Sequence, residues 1–235
     1  MRVAGFLMLS VVLLSCAGTD VGNPQSRELS VEFIGFDESA PNALTFDSGL
    51  VISELWLSLS ALRLRDAALC EEEGDFYLHG PFLVELVSGR EFPPLSTRLE
   101  LQSLCRISLD FALYAGSIPE APDAMRDHSI LIRGSSADGQ AFEIALSRNE
   151  VVHLRNTTGL VSLLPQNDHL LISFALNEWF QAGELDVEAF DSSNAAATAK
   201  LWTVIKRSIR LYRDSVPDGL LQDSELLDQL ATGEF

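Results

Sequence analysis

The best-spaced candidate chemistry in this chain is an acidic run near its C-terminal end. Asp214-Ser215-Val216-Pro217-Asp218-Gly219-Leu220-Leu221-Gln222-Asp223-Ser224-Glu225 can be laid on the calcium loop of an EF-hand. Asp214 then opens the loop, Asp218 and Gly219 fall at its middle and Glu225 closes it, with the Leu220 carbonyl as backbone ligand. Calcium takes about six to eight oxygens, and these hard carboxylates would supply most of them. Val216 stands where the second side-chain ligand belongs and offers no oxygen, and Pro217 stiffens the turn. Such a defect weakens a site toward the millimolar range of extracellular modules. The same residues also make a plain interhelical turn, in which Gly219 supplies a positive φ and the acids cap the next helix. That simpler reading is favoured. Calcium is the one cofactor this sequence offers.

Other candidates are weaker. Lys200, Lys206, Arg207, Arg210 and Arg213 gather five of the chain's 16 basic residues on one predicted helix. They could meet anionic lipid or an acidic partner; docking on the chain's own acidic body, with Arg210 and Arg213 at the helix C-terminus, is the favoured alternative. Glu71-Glu72-Glu73 with Asp75 reads as a solvated loop. His79, His128, His153 and His169 fall in no metal-ligand spacing, and no nucleophile elbow, phosphate loop or dinucleotide fingerprint occurs. Asn156-Thr157-Thr158 matches a glycosylation acceptor and carries little weight. A triad or carboxylate pair assembled from distant residues would leave no such trace.

The elements that would position these groups are mostly strands. Thr97–Tyr114 alternates, with Leu99, Leu101, Cys105, Ile107, Leu109, Phe111 and Leu113 on one side and Arg98, Glu100, Gln102, Arg106, Ser108 and Asp110 on the other. Only a half-buried strand keeps those residues on one face, and its length predicts a kink near Ser103. In Leu55–Arg65 the apolar phase slips by one residue, from Leu57 and Leu59 to Leu62 and Leu64, which predicts a β-bulge near Ser60–Leu62. Shorter alternating runs cover Leu29–Phe36, Phe82–Val87, Ser129–Arg133, Ala141–Leu146, Val151–Arg155 and His169–Leu176. Ser136-Ala137-Asp138-Gly139-Gln140 joins two of them as a hairpin turn. Many such strands imply two antiparallel sheets packed as a β-sandwich, or a barrel, and the sandwich is preferred. The period changes after residue 190. Asn194–Arg213 reads as a helix capped by Asn194, and Asp223–Ala231 as a second, shorter one.

The 235 residues, 47% hydrophobic and 21% charged, suffice for one sizeable core. A formal charge of -18, from 34 acidic and 16 basic side chains, strongly disfavours nucleic acid, whose binding rests on Lys and Arg contacts to phosphate.

Met1-Arg2 followed by the apolar Val3–Leu14 has the form of a secretion signal. A helix over Val3–Leu14 reaches about 18 Å, well short of the ~30 Å hydrocarbon core. It ends in Leu13-Leu14-Ser15-Cys16, which resembles the lipobox of bacterial lipoproteins. The resemblance implies cleavage before Cys16, diacylglycerol on its thiol and acylation of the new amino terminus. At ~0.8 kcal/mol per buried CH₂, such chains make a durable anchor. A soluble secreted protein with an incidental Cys16 is the alternative. Ala17 after the cysteine favours the outer membrane. Residues 16–28 read as a lipidated tether, residues 29–190 as the sandwich and residues 191–235 as the helical end.

With Cys16 consumed by lipid, Cys70 and Cys105 remain as an even pair in an exported chain, where disulfides persist. Closing that loop stabilises by up to roughly 4 kcal/mol in the chain-entropy model. Two free thiols are the alternative.

Two further stretches are similar to lipoprotein domains of unknown function from myxobacteria and their relatives. One is Thr19-Asp20-Val21-Gly22-Asn23-Pro24. The other is a series: Gly49-Leu50, Leu55-Trp56-Leu57, Gly80-Pro81-Phe82-Leu83-Val84-Glu85-Leu86, Cys105-Arg106-Ile107-Ser108-Leu109, then Gly134, Asp138-Gly139 and Phe142-Glu143. The resemblance implies architecture and location, and no activity. Two functions stay open. One is a non-enzymatic envelope protein binding a polysaccharide or another protein, with an exposed aromatic patch or sheet edge. The other is a hydrolase of envelope polymer, with clustered carboxylates or a histidine in a cleft. The missing motifs favour the first.

Overall fold

A computed structural model of the chain describes residues 26–38, 44–46, 48–70, 76–156, 159–164, 167–180, 187 and 190–233. The expected signal segment 1–15, Cys16, the expected tether up to residue 25, Glu71–Asp75 and Thr157-Thr158 lie outside them. The strands are β1 (Arg27–Phe36), β2 (Val51–Asp66), β3 (Phe76–Glu85), β4 (Arg90–Phe92), β5 (Ser96–Leu99), β6 (Ser103–Phe111), β7 (Ile130–Ser135), β8 (Ala141–Leu146), β9 (Glu150–Arg155), β10 (Val161–Ser162), β11 (Asn167–Ala175), β12 (Ile209–Arg213) and β13 (Gln229–Gly233). Two helices accompany them, α1 (Leu176–Trp179) and α2 (Ala195–Ser208). Arg27 and Glu28, expected in the tether, belong to β1.

The fold is mostly β, as the alternation implies, but the strands join one sheet rather than two. Its path runs β4-β3-β2-β6-β9-β13-β12-β11-β1-β5, with β7 branching from β2 and carrying β8, and β10 branching from β6. The sheet curls until its ends approach: β1 donates Gly35 N–H to Leu86 O (3.0 Å) and Val31 N–H to Leu95 O (2.9 Å), carbonyls flanking β4. The result is a mixed half-barrel. Among the described ladders every pairing is antiparallel except β1–β11, which runs parallel from Glu28–Asn167 to Phe36–Ala175. Alternation within a strand carries no information on its partner's direction, so sequence could not show this.

The expected bulge is present. The register of β2 slips between Leu59 and Ala61 against both β3 and β6. There β2 also changes partners, pairing through Leu57 with β7 and from Leu59 onward with β6. The long run Thr97–Tyr114 breaks into β5 and β6 around Ser103, as its length requires. One apolar core fills the curl, with Leu55, Leu57, Leu62, Leu64, Leu109 and Ile172 fully buried. Trp179 joins it and donates its indole N–H to Ser208 Oγ (2.6 Å), tying α1 to the end of α2. A smaller core of Ile34, Phe36, Leu171, Ala175, Tyr212 and Leu221 covers the other face of β1, β11 and β12. These strands are buried on both sides.

The helical end needs correction. Asn194 does cap a helix, its Oδ1 accepting from Ala196 and Ala197 N–H (3.0 and 3.2 Å). But α2 stops at Ser208, and Ile209–Arg213 is strand β12, hydrogen-bonded between β11 and β13. The apolar spacing Ile205, Ile209, Tyr212 fits a helix. It also arises when Ile209 and Leu211 enter the main core while Tyr212 enters the small one. Nor does Asp223–Ala231 form a helix: it is turns leading into β13. The expected antiparallel sandwich with a C-terminal helical pair thus becomes a curled mixed sheet whose C-terminal residues add two strands to it.

Gly80 of β3 sits against the β2 bulge, where a Cβ would stand 2.7 Å from Leu59 O and 3.0 Å from Ser60 O. Gly80→Ala should therefore cost about 1–3 kcal/mol in chemical denaturation. Gly139→Ala, in open space at φ +83, should cost only the positive-φ strain of about 1 kcal/mol. The reverse order would show that the bulge yields.

Candidate functional site

The outward face of β3, β2, β6 and β9 is where polar side chains of several strands meet. In one row across the sheet stand Tyr77, Arg63, Ser108 and His153. The next row, two residues toward the start of β2, holds His79, Ala61 and Asp110. Tyr77 is 40% exposed, and its ring lies nearly parallel to that of His79, 5.5 Å between centroids. The Arg63 guanidinium sits 5.2 Å over the Tyr77 ring while its Nε–H donates to Asp110 Oδ2 (2.8 Å). Sheet alternation places these groups: the intervening residues Leu62, Leu64, Leu109 and Val152 all point into the core.

In the opposite direction Arg65 faces Arg106 directly across the β2–β6 pair. Beyond Arg65 a second register slip lets Asp66 pair with Leu104, leaving Cys105 as the extra residue. The bulge turns Leu104 into the core and leaves Cys105 half-buried, where the alternation had placed Cys105 itself on the apolar face. Cys105 there forms a disulfide with Cys70, their Cα atoms 6.1 Å apart. The pairing expected of an exported chain is thus present. Arg65, Arg106, Arg155, Gly159 and the disulfide enclose a pocket of about 350 Å³.

Ser108 Oγ lies 2.8 Å from His153 Nδ1, the distance of a nucleophile and its base. Ser108 is only 1% exposed, so a substrate cannot reach it in this geometry. Of the remaining histidines, His128 Nδ1 meets Ser147 Oγ at 2.9 Å, His79 belongs to the aromatic stack, and His169 lies near enough to Glu32 for its charge to act on that carboxyl.

The acidic run lies between β12 and β13, not between helices. Asp214 accepts Val216 and Gly219 N–H (3.1 and 3.0 Å), and Glu225 accepts Ser215 N–H and O–H (each 2.7 Å) and Gln222 N–H (3.0 Å). Asp218 accepts Leu220 N–H (2.9 Å) and the Gln222 amide (3.2 Å), and the Leu220 side chain is exposed. Desolvation is the largest influence on Glu225, yet these donors together hold its carboxyl below the usual range; desolvation raises Asp214. The carboxylates thus organise their own loop's backbone. Among the described residues no group of three or more His, Cys, Asp or Glu side chains is placed to hold a metal ion. Gly219 does adopt a positive φ, +70°, and a Cβ there would meet Glu32 Oε2 at 2.6 Å.

The basic residues of the C-terminal segment turn back on the chain's own acids. Lys206 Nζ meets Glu150 Oε1 at 2.8 Å and Arg213 Nε meets Asp168 Oδ1 at 3.1 Å. Arg210 pairs with Glu178, and Arg207 reaches the same carboxylate at 3.8 Å.

Sequence reasoning missed a carboxylate pair. Glu32 of β1 and Glu91 of β4 line one pocket of about 230 Å³ with Ser30, Gly89, Pro94 and Ser96. Burial lifts Glu91 to about 7; the charge of Glu32 adds to the rise and the Leu95 N–H donated to its Oε2 (3.0 Å) opposes it. Burial likewise raises Glu32, beside Asp214. The two glutamates lie 59 positions apart in sequence and are neighbours only because β1 returns to the β3–β4 end, so no local signal could have found them.

A scan against models of protein families finds no match, and neither do searches of curated proteins and of solved structures.

Glu91 sets a pH dependence. Its carboxyl titrates near 7 in the folded chain against an ordinary 4.5, so between those values the folded state holds the extra proton. Stability contributed by Glu91 is therefore fully present below about 4.5 and is lost as pH rises through about 7. Denaturation midpoints measured across that window should fall, and Glu91→Gln should flatten the fall. An unchanged slope in the variant would place the titration elsewhere.

Proposed function

We propose that this chain is a lipid-anchored protein of the bacterial envelope that works by binding rather than by bond-making chemistry. Its binding surface is the outward face of β3, β2, β6 and β9. Anchoring rests on the Leu13-Leu14-Ser15-Cys16 motif behind an apolar segment too short to span a bilayer. The two walls of the curled sheet serve as the layers of a sandwich, one of them presenting this face to a polysaccharide or protein partner. The outer membrane is the site this reading favours.

The observation that carries the binding role is the exposed Tyr77–His79 stack with Arg63 over it. Aromatic rings and arginine are the residue types that dominate binding hot spots, since they combine large contact area with directed hydrogen bonds. Arg63 pairs with Asp110 and still leaves part of its side chain exposed over the Tyr77 ring, which favours an acidic partner over a neutral one. The second reading, a hydrolase, draws on the Glu32–Glu91 pair in one pocket and on the 2.8 Å approach of Ser108 and His153, against the latter of which stands the burial of that serine.

Anchoring is tested by mass: the mature chain should begin at Cys16 and carry acyl chains, and Cys16→Ser should leave the membrane fraction. An unacylated native product that partitions like the variant would overturn the anchor.

Binding is tested by calorimetry of the full processed chain in detergent against alginate, an acidic polysaccharide, with dextran as the neutral control. Heat with alginate alone is expected, and Arg63→Ala with Tyr77→Ala should weaken it at least tenfold, about 1.4 kcal/mol. Silence with both polymers would overturn the acidic-partner reading. Labelling of Ser108 by a fluorophosphonate probe, lost in Ser108→Ala, would establish the hydrolase instead.

A further inference from the structure

We infer that the pocket in the loop joining β6 to β7 is a binding site for a small free amino acid. Asp123 and Arg126 both line this pocket, whose volume is about 170 Å³, together with Tyr114, Gly116, Pro119 and Pro122. Among the described residues neither of the two charged side chains makes an ion pair or a hydrogen bond, not even with the other. In a chain of net charge -18 that is unexpected of an arginine. Arg63, Arg133, Arg210 and Arg213 are all matched to carboxylates of the fold.

The frame that holds the two charges is well tied. Tyr114 N–H donates to His128 O and Asp127 N–H to Tyr114 O (2.9 and 3.0 Å), joining the two ends of the loop. The Tyr114 hydroxyl donates to Ile118 O (2.6 Å) and accepts from Ile118 N–H (2.5 Å), which fixes the wall between them. Tyr114 and Met125 are themselves buried with Trp56, Leu83 and Leu131. Gly116 seats the guanidinium: a Cβ there would stand 2.9 Å from Arg126 Nη2 and 3.0 Å from its Cζ and Nη1. Arg126 thus lies against bare backbone, a position that a side chain at residue 116 would disturb.

This arrangement sets the chemistry of the ligand. A guanidinium takes a carboxylate through two parallel N–H donors, and a carboxylate in the same cavity takes an ammonium. A small molecule that carries both groups is an amino acid. Ile118, Pro119 and Pro122 add apolar wall for a short side chain. The size agrees. At ~30 Å³ per molecule the cavity holds roughly six waters, the scale of alanine, and it is smaller than the ~300 Å³ at which drug-sized sites begin. A ligand with a single charge leaves the opposite protein charge covered and unmatched, so the zwitterion is selected. The site shares no residue with the Tyr77–Arg63 surface and stands whether or not that surface binds an acidic partner.

The test is calorimetry of the full processed chain in detergent with alanine, set against acetate and ethylamine as the anion and the cation alone. Alanine should bind saturably in the millimolar range, and each single-charge probe at least tenfold more weakly. Asp123 and Arg126 are exposed, so Asp123→Asn and Arg126→Gln leave the core intact, and each should weaken alanine at least tenfold. Gly116→Ala removes no charge but displaces the guanidinium, and should weaken alanine too. Arg98→Gln on β5, outside the pocket, should change nothing. Near-ultraviolet circular dichroism like that of the parent confirms that each variant keeps its Tyr114 and Trp56 packing. Silence with alanine, acetate binding as tightly as alanine, or full binding in Arg126→Gln would each overturn the inference.

Discussion

The parallel pairing of β1 with β11 is the constraint on which the rest of this structure depends. β1 is the first described strand, and β11 follows it by more than a hundred residues. Joining them inserts the N-terminal strand between the β12–β11 side of the sheet and β5. The same strand donates backbone hydrogen bonds to Leu86 O and Leu95 O, which curls the sheet until its ends nearly meet. Without that strand Phe33 and Leu29 would leave the main core, Ile34 and Phe36 would leave the small one, and the carboxylates of Glu32 and Glu91 would not share a pocket. At about 25 cal/mol per Å² of apolar surface, burying strands on both faces is a strong drive toward this closure.

Charge is distributed over the closed sheet in two ways. On the α2 and β12 side, Lys206, Arg207, Arg210 and Arg213 are matched to Glu150, Glu178 and Asp168. These pairs fasten the C-terminal segment to the body. On the β3–β2–β6–β9 face, Arg63 pairs with Asp110 and lies over the Tyr77 ring, and Arg65 faces Arg106 across the β2–β6 ladder. The acidic loop between β12 and β13 resembles neither: its carboxylates are consumed by the loop's own N–H groups, and Leu221 pins it to the small core.

Much of this was legible in the residues and some was not. The bulge in β2 could be read because the hydrophobic phase of Leu57, Leu59, Leu62 and Leu64 slips by one residue, which is a local pattern. The Asn194 cap was legible for the same reason. Cys105 misled, because a second bulge, set by the pairing of Asp66 with Leu104, leaves no mark in the alternation of β6. Ile209–Arg213 misled differently. An apolar period of three to four suits a helix, and it also suits a strand that feeds two cores at once.

The amino-acid sequence by itself determined the strand-rich body, the positions of most strands, the acidity, the lipobox-like Leu13–Cys16 segment and the availability of one cysteine pair. Those follow from side-chain period, residue type and spacing along the chain, which need no partner. Tertiary structure alone decided that β1 lies parallel to β11, that the C-terminal segment ends in strands and that Arg65, Arg106 and Arg155 line one pocket. Each depends on which strand lies next to which and in what register. Backbone hydrogen bonds are alike at every residue, so that choice is made only when the whole core packs.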